Sequence, residues 1–571
     1  MNLIFRLIGK HKRMFFTAVF FLSIETFADL MQPTFMAYLV DRGVKEQKTG
    51  TILAYGGVML GIALLGAMGA VMRSIYASRT SQLIGKELRG EIYRKVQTLS
   101  FENIDRLSPS SIITRITNDV TQIQNFINSS MRIMLKAPIT CIGAVILIVV
   151  QTPAQIPVML VILCISGIFI AANMKLGYPR FGRMQVKLDQ LNRVSREFLT
   201  SIRVVKAFNA ERQEEEKFGR ASEEFADAGI SAMRVIAVFA PLINLTVNLG
   251  IIVMLWMSAA QNGGKIGRLM ASVNYMTQIL FSLGMVSNIL NTAVRAVASS
   301  ERVQEILDEE PAQKEDPEAA GKVTMGEVEF RHVSFTYAGT SVSALEDINF
   351  TARGGETIGI IGPTGSGKST LVNLVPRFYD ATKGTVLVDG KDVNRMETNA
   401  LRQAIAVVPQ KALLFTGTIA ENLRWGDENA SGEELEKAAE IACADEFISG
   451  FPSGYRTDLG QGGVNLSGGQ KQRLSIARAL VRRPRILILD DCTSALDATT
   501  EAKVLKGLRT QAAGMTVLLI SQRISTVMGT DRILCMEDGR VRGFGTHQEL
   551  MRDCQEYRDI YRSQIGGGEL G

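Results

Sequence analysis

Cysteine is scarce in this chain of 571 residues, and its few thiols are scattered. Metal sites built from cysteine need paired spacings, and disulfide scaffolds need a much higher cysteine density. Neither pattern is present, which excludes both classes of protein, and we expect the thiols to be reduced. The cysteines are Cys141, Cys164, Cys443, Cys492, Cys535 and Cys554.

The chain also lacks a basic patch with interleaved aromatic residues, although its formal net charge is +6 and its pI is about 8.9. Lysines and arginines cluster instead in loops between apolar segments, as in the inner loops of a membrane protein. We therefore expect no nucleic-acid partner. The first residues, MNLIFRLIGKHKR, lack the small-residue cleavage site of a signal peptide. We expect a retained, amphipathic interfacial helix there.

Apolar sequence is abundant before about residue 298, and charged residues are concentrated after it. A helix that crosses a bilayer needs about 20 apolar residues, and suitable windows fall near 14–40, 51–72, 132–151, 156–173, 231–260 and 269–293. Long basic loops after the second and fourth windows predict that both termini are cytoplasmic. We expect a multi-pass protein of the cytoplasmic membrane, with a lipid-embedded unit over 1–306, a polar linker over 307–324 and a soluble domain over 325–571.

Two features of the membrane half go beyond the spans themselves. Segments 100–120 and 196–211 are patterned as helical extensions that turn back at their tips. In the first span, Glu25 and Asp29 are four residues apart and share a helix face. Acids at membrane depth normally face a bundle interior or a cavity. They would therefore either hold a cationic amphipathic substrate or pair with polar groups on other spans.

The soluble half contains a phosphate-binding loop between a predicted strand and a predicted helix. An apolar run ending at Ile361 leads into a full match to G-x-x-x-x-G-K-[ST]. Glycines let backbone N–H groups close on phosphate oxygens, Lys368 can reach the β- and γ-phosphates, and Ser369 can ligate Mg²⁺. The loop consists of Gly362, Pro363, Thr364, Gly365, Ser366, Gly367, Lys368, Ser369 and Thr370.

A second group of chemically informative residues follows about a hundred residues later. The apolar run 486–489 predicts a buried strand that ends in Asp490 and Asp491, and a carboxylate at a strand end suits Mg²⁺. Ahead of it a helix opens with small residues, whose backbone N–H groups can face an anion. These residues are Ser467, Gly468, Gly469 and Gln470. With Leu466 they read LSGGQ, which resembles the signature of the ATP-binding cassette (ABC) family.

The resemblance covers essentially the whole chain and implies further roles. Tyr337 stands where the family stacks an aromatic ring on the adenine of ATP. Gln410 matches the glutamine that senses Mg²⁺ and the γ-phosphate. By the resemblance, Ser369, Gln410 and Asp490 would be the Mg²⁺ ligands. The two turned-back segments resemble the coupling helices of ABC exporters. The implied fold is a membrane α-helical bundle of six transmembrane helices plus an α/β P-loop ATPase domain of ABC type.

Two residues depart from the family pattern. Most active members place Glu directly after the Mg²⁺-binding Asp, as base or polariser of the attacking water, whereas this chain has Asp491. The switch segment carries Gln522 in place of His, and the only histidines in the chain are His11, His332 and His547. A misplacement on the order of 1 Å can cost about 10²-fold in rate. We therefore expect slow or absent hydrolysis at this chain's own Walker motifs, which are the phosphate-binding loop 362–370 and the strand end at Asp490.

The intact signature beside altered hydrolytic residues resembles the degenerate-site half of a bacterial heterodimeric ABC exporter. We expect ATP-driven export of hydrophobic or amphipathic compounds, of the multidrug type, with a second exporter half as partner. Ser467 to Gln470 would complete the partner's site. Two alternatives stay open: a homodimeric lipid or peptide exporter in which Asp491 and Gln522 support hydrolysis, and a nucleotide-gated regulator or channel.

Overall fold

The chain folds as two units that are interleaved in sequence. The structure is a computed structural model that describes residues 2–260, 266–314, 316, 321–511 and 514–565. One unit comprises Met1–Val96 and Ser110–Asp308, and the other comprises Gln97–Pro109 and Glu309–Gly571. Segment 97–109, which the sequence assigns to the membrane half, therefore packs with the second unit.

Long helices make up the first unit. Among the described residues, five helical stretches are long and apolar enough to cross a membrane: Lys12–Val44, Thr49–Thr98, Pro109–Gln151, Pro153–Thr200 and Glu211–Met257. They contain the first four predicted spans and all but the last three residues of the fifth, 231–260. The sixth, 269–293, falls in a further long helix, and the side chains of 283–284 and 286–291 lie outside the described residues. The count of six stays a prediction.

The helices up to the end of the first unit follow one another closely along the chain. They are α1 (Asn2–Lys10), α2 (Lys12–Tyr38), α3 (Thr49–Thr98), α4 (Phe101–Leu107), α5 (Pro109–Thr114), α6 (Val120–Ser129), α7 (Lys136–Gln151), α8 (Ile156–Thr200), α9 (Ile202–Ala207), α10 (Glu211–Ala260) and α11 (Ile266–Asp308). α1 is the amphipathic helix expected at the start, since it buries Leu3, Ile4 and Leu7. The short helices α4 and α9 lie at the tips of the two predicted helical extensions.

A buried ion-pair network joins three helices of the first unit. Glu25 of α2 accepts hydrogen bonds from Arg73 Nε of α3 at 2.5 Å and from Lys136 Nζ of α7 at 2.6 Å. Lys136 also lies 2.8 Å from Asp29 Oδ2. Because Glu25 is 7% exposed and already neutralised by two cations, its geometry supports the pairing interpretation over capture of a cationic substrate.

The second unit is organised on three sheets. Its strands are β1 (Val328–Phe335), β2 (Leu345–Ala352), β3 (Thr357–Ile361), β4 (Lys383–Val388), β5 (Lys391–Asp392), β6 (Ile405–Val408), β7 (Gly417–Thr418), β8 (Asp458–Leu459), β9 (Ile486–Asp490), β10 (Thr516–Ile520), β11 (Arg532–Glu537) and β12 (Arg540–Gly545). The six-stranded sheet has the order β12-β11-β3-β10-β9-β6, and only its pairing between β11 and β12 is antiparallel. Parallel strands end at one edge, so β3, β9 and β10 deliver their following loops to the same place.

The core of the second unit lies on both faces of the six-stranded sheet. The inner strands are almost fully buried, which explains their continuous apolar runs, and the first four residues of β9 are buried ahead of Asp490. The helices of this unit are α12 (Lys368–Leu374), α13 (Thr398–Gln403), α14 (Ile419–Arg424), α15 (Gly432–Ile441), α16 (Asp445–Ser449), α17 (Gly468–Val481), α18 (Ala498–Gln511), α19 (Ile524–Val527), α20 (His547–Asp553) and α21 (Gln555–Ile565). An antiparallel sheet of order β2-β1-β4-β5 completes the unit.

Candidate functional site

The glycine-rich loop after β3 is shaped by close backbone contacts. A Cβ at Gly362 would lie 2.1 Å from the carbonyl oxygen of Met536, and one at Gly367 would lie 2.7 Å from that of Ala344. Gly367 also has a φ of 92°, in the region that glycine adopts without steric cost. Only glycine fits these two positions, and the loop can therefore bring its backbone N–H groups close to an anion.

Lys368 begins α12 and lies buried against the loop. Its ammonium donates to the carbonyl oxygens of Gly362 at 2.8 Å and Pro363 at 2.7 Å. Burial lowers the pKa of Lys368, while the carboxylates of Asp491 and Asp490 act in the opposite direction. An ammonium held in this way can exchange carbonyl oxygens for phosphate oxygens, which form stronger charge-assisted bonds.

Asp490 and Ser369 provide two oxygen ligands at the carboxyl edge of the sheet. Ser369 Oγ donates to Asp490 Oδ1 at 2.9 Å, and neighbouring ligands of an octahedral Mg²⁺ with bonds of about 2.1 Å lie about 3 Å apart. Burial raises the pKa of Asp490, and the adjacent Asp491 adds to this effect. Because a hydroxyl and a carboxylate are the ligands that Mg²⁺ prefers, the pair fits the ion that the sequence predicts.

Asp491 is surrounded by two glutamine side chains. Gln410 Nε2 and Gln522 Nε2 donate to Asp491 Oδ2 at 3.2 and 3.1 Å. Burial raises the pKa of Asp491, against the lowering effect of these amide donors. The structure thus brings together Asp491 and Gln522, the two residues that depart from the family pattern. Gln410, predicted as a Mg²⁺ ligand, lies with them, and its amide nitrogen faces Asp491.

Tyr337 lines a cavity of about 340 Å³ together with these groups. Its hydroxyl is 3.0 Å from Thr370 Oγ1, which fixes the ring beside the phosphate-binding loop. The predicted residues on the wall are Tyr337, Thr364, Gly365, Gly367, Lys368, Ser369, Thr370, Gln410, Asp490, Asp491 and Gln522. Ala344 and Ile520 also line it; sequence analysis missed them because small and apolar residues beside strands carry no distinctive signal.

The signature residues stand apart from this cavity. Among the described residues, its wall does not include Ser467, Gly468, Gly469 or Gln470. Ser467 instead caps α17: its hydroxyl accepts from Gln470 N at 3.3 Å, and Gln470 Oε1 accepts from Ser467 N at 2.9 Å. This reciprocal capping box holds the start of the helix in a fixed shape, so the signature is a preformed surface rather than part of the chain's own site.

Arg523 is a residue that sequence analysis missed. Its guanidinium donates to Leu496 O at 3.3 Å, to Ser494 O at 3.0 Å and to Glu501 Oε2 at 3.1 Å. Arg523 directly follows Gln522, and its partners lie in the segment that follows Asp491. It therefore connects these two parts of the site. Its position next to Gln522 was the only sequence signal available, because a single arginine after a strand is ordinary.

The parallel sheet, its glycine-rich loop, the acid pair at the next strand's end and the separate signature helix define an ATPase of cassette type joined to a unit of apolar helices. Residues 15–283 match the family model described as ABC transporter transmembrane region, and residues 345–494 match the one described as ABC transporter. The chain belongs to the ABC transporter family, as an ATP-hydrolysing exporter whose membrane domain is fused to its nucleotide-binding domain.

Relatives match along nearly the whole chain. The uncharacterized ABC transporter ATP-binding protein YfiB of Bacillus subtilis (strain 168) is 40% identical over 552 residues, covering 96% of each chain. The ATP-dependent lipid A-core flippase of Pseudomonas aeruginosa is 33% identical over 503 residues, covering 88% of this chain and 83% of that protein. A solved structure of a bacterial Atm1-family ABC exporter with ATP bound has a TM-score of 0.79 and 26% identity, covering 97% of this chain and 98% of that one.

Proposed function

We propose that this chain is one half of a heterodimeric exporter, in which its own Walker site binds Mg-ATP but hydrolyses it slowly. The observation that carries this proposal is the group of Asp491, Gln410 and Gln522. The short carboxylate of Asp491 accepts hydrogen bonds from two amides, and neither amide can take up a proton as an imidazole would.

The signature supports the same division of labour. Ser467 to Gln470 keep the family sequence, form a capped helix start and lie away from this chain's own cavity. Such a surface completes the Walker site of a second exporter half, which would carry Glu and His at the two altered positions. Hydrolysis in that partner site would then drive most of the transport cycle.

For the cargo we propose hydrophobic or amphipathic compounds, exported across the cytoplasmic membrane with both termini on the cytoplasmic side. Many large apolar side chains of the first unit are exposed, as expected for helices that face lipid and apolar cargo. A lipid is the second candidate, because two relatives, at 33% and 31% identity, are named ATP-dependent lipid A-core flippases. In that case a homodimer with active Asp491 sites would be the working form.

Purification of the chain alone, followed by measurement of Mg-ATP hydrolysis and of subunit number, tests the proposal. The expected result is ATP binding with hydrolysis close to that of a Lys368→Ala control. Addition of a half-exporter from the neighbouring reading frame, with Glu and His at the altered positions, is expected to give brisk hydrolysis and dye efflux from vesicles. Brisk turnover by a homodimer of this chain would overturn the heterodimer, and an ATP-dependent ion current without uphill transport would favour a channel.

A further inference from the structure

We propose that Tyr379 is a positioning residue that transmits adenine occupancy beside Tyr337 to helix α4, through the hydrogen bond between its hydroxyl and Asp105. The inference rests on the proposed function in one respect, namely that Tyr337 stacks on the base of ATP. All the residues involved belong to the second unit, which includes segment 97–109.

The first step of this route is a cluster of three aromatic rings. The rings of Tyr337 and Tyr379 are 5.4 Å apart and nearly perpendicular, at 81°. Phe335 packs against both, with ring centres 4.8 Å from Tyr337 and 5.6 Å from Tyr379. Edge-to-face contacts at such distances have a preferred geometry. Because Phe335 is buried, a tilt of the Tyr337 ring displaces Tyr379 rather than opening a gap.

The second step joins Tyr379 to α4. Its hydroxyl donates to Asp105 Oδ2 at 2.6 Å. The ring of Phe101, at the start of α4, lies 6.3 Å from that of Tyr379 and 4.6 Å from that of Phe378. Burial, and next the bond to Asp105, raise the pKa of Tyr379, so the hydroxyl keeps its proton and remains a donor. Two consecutive residues, Phe378 and Tyr379, therefore contact α4 at its first residue and one turn further on, at Asp105.

The third step is a set of hydrogen bonds that makes α4 move together with Tyr379. Asn103 of α4 donates to the carbonyl oxygen of Glu310 at 3.0 Å and accepts from Ala312 N at 2.9 Å. Gln313 then donates to Asp380 Oδ1 at 2.9 Å, next to Tyr379. Segment 310–313 therefore bonds both to α4 and to segment 378–380, and segment 378–380 in turn contacts α4. Each of the three segments is held by the other two. α4 (Phe101–Leu107) follows α3, which ends at Thr98, and precedes α5, which begins at Pro109. Short turns therefore join α4 to the helices of the first unit.

This route depends on the base of the nucleotide and not on hydrolysis. Tyr337 bonds to Thr370, and Tyr379 packs on Tyr337. Among the described residues, the side chain of Asp491 bonds instead to Gln410 and Gln522, and the proposed slow site would retain its nucleotide. Adenine stacking on Tyr337 restricts the tilt of that ring, and the restriction passes to Asp105 through Tyr379. A site that hydrolyses ATP poorly would therefore still influence the membrane helices.

Hydrogen–deuterium exchange on the purified full-length chain tests the inference. The readout is amide exchange over residues 100–107, with Mg-ATP or with Mg-tripolyphosphate, which lacks the base, each at a concentration shown by calorimetry to saturate. Mg-ATP is expected to slow exchange there by about 5-fold, the size of one hydrogen bond, whereas tripolyphosphate leaves it unchanged. Tyr379→Phe is expected to abolish the slowing by ATP while ATP affinity stays within about 3-fold.

Two controls separate this route from a general loss of structure. Tyr455→Phe removes a similar bond in the same unit, from Tyr455 to Asp445 Oδ1 at 2.7 Å, and is expected to leave exchange over 100–107 unaffected. Asp105→Asn keeps an acceptor oxygen and is expected to retain the ATP effect, whereas Asp105→Ala should match Tyr379→Phe. The double variant Tyr379→Phe with Asp105→Ala should lose nothing further.

The inference is overturned if Tyr379→Phe binds ATP and still shows wild-type slowing over 100–107. Equal slowing by Mg-tripolyphosphate would also overturn it, because the signal would then come from the phosphates. The same holds if the wild-type chain binds Mg-ATP without any change in exchange. Absence of Mg-ATP binding by the wild-type chain would instead overturn the proposed nucleotide site, and this inference together with it.

Discussion

Asp491 and Gln522 are 31 residues apart in sequence but share one hydrogen bond. Their neighbours bear on the slow hydrolysis that we propose for this site. The carboxylate oxygen that accepts from Gln522 also accepts from Gln410. These two bonds lower the pKa of Asp491, in opposition to the larger raising effect of burial, and they occupy the oxygen that an attacking water would need. Asp491 also has a φ of 46°, a conformation that short polar residues tolerate better than long ones. The local backbone therefore suits the residue that is present.

The combined change Asp491→Glu with Gln522→His should restore hydrolysis at this site. The longer acid reaches the position of the attacking water, and an imidazole replaces an amide that cannot exchange protons. We expect the Mg-ATP hydrolysis rate of the purified chain to rise at least about 10-fold, given that a positioned acid–base group contributes about 10²-fold or more. Adding Lys368→Ala to this variant should remove the gain. An unchanged rate would show that these two residues do not limit hydrolysis.

For single residues, the sequence motifs identified those that would bind phosphate or Mg²⁺. Lys368, Ser369 and Asp490 line one cavity, because the loop after β3 and the end of β9 lie at the same edge of one parallel sheet. Arg523 and Tyr379 could not be identified in this way. Their importance comes from partners that are distant in sequence, and neither a lone arginine nor a lone tyrosine distinguishes a functional contact from ordinary packing.

At the scale of elements, the hairpin between β4 and β5 combines a turn with an anchor. Asp389 and Gly390 have φ values of 50° and 74°, as a two-residue turn of a hairpin requires. Asp389 also accepts backbone hydrogen bonds from Thr324 at 2.6 Å, Met325 at 3.0 Å and Glu327 at 2.8 Å. Burial would raise the pKa of Asp389, but these donors outweigh it and lower the pKa. The carboxylate thus fixes the segment that leads into β1.

This anchor predicts a specific pH dependence of stability. Because the pKa of Asp389 is lower when folded, its stabilising effect is complete above its unfolded pKa of about 3.9 and disappears as the pH falls through the folded value. Asp389→Asn should therefore lower the Tm at pH 7, and the difference from wild type should shrink below about pH 4. Differential scanning calorimetry of the full-length protein in detergent measures both effects.

Asp538→Asn is the matched control for this prediction. Asp538 and Gly539 form the equivalent turn between β11 and β12, with φ values of 48° and 75°. Among the described residues, the Asp538 carboxylate accepts no backbone hydrogen bond, so its replacement should change the Tm little at any pH. A constant Tm difference for Asp389→Asn from pH 7 to pH 3 would contradict a role for its charge.

Helices and strands with a regular pattern of apolar residues could be predicted from the sequence, but their lengths could be predicted less well. Apolar and polar residues largely alternate over 328–335, which is typical of a strand, and β1 has these bounds. The apolar run before Asp490 predicts a strand that the structure shows as β9. The second predicted span, 51–72, is part of α3, which continues to Thr98. Hydropathy detects only the stretch that suits lipid, whereas the helix continues as long as its backbone hydrogen bonds and one packed face are maintained.

At the scale of the whole molecule, the signature and the Walker site of this chain should contribute unequally. A Cβ at Gly468 would meet only Ala495 Cβ at 3.8 Å, an ordinary contact, so Gly468→Asp leaves room for the fold. It places a carboxylate where an incoming phosphate would bind. In the two-chain assembly this change should reduce ATP hydrolysis by about 10²-fold or more.

The matched change at the other site is Lys368→Ala in the same chain. It should weaken nucleotide retention by the slow site and reduce total hydrolysis by less than about 10-fold. Steady-state hydrolysis together with retention of labelled ATP measures both variants. Equal losses of hydrolysis from the two changes would contradict the proposed asymmetry between the sites.

The sequence alone determined the two-part organisation, the phosphate-binding loop, the signature and the two altered residues, because each is a local pattern whose spacing carries its own chemistry. Tertiary structure decided which distant groups meet. Pairing of Ile520 with Asp490 brings the ends of β10 and β9 side by side and so places Gln522 on Asp491. Folding likewise joins Tyr379 to Asp105, 274 residues away. Such contacts arise from strand order and packing, which depend on the whole chain and leave no local pattern to read.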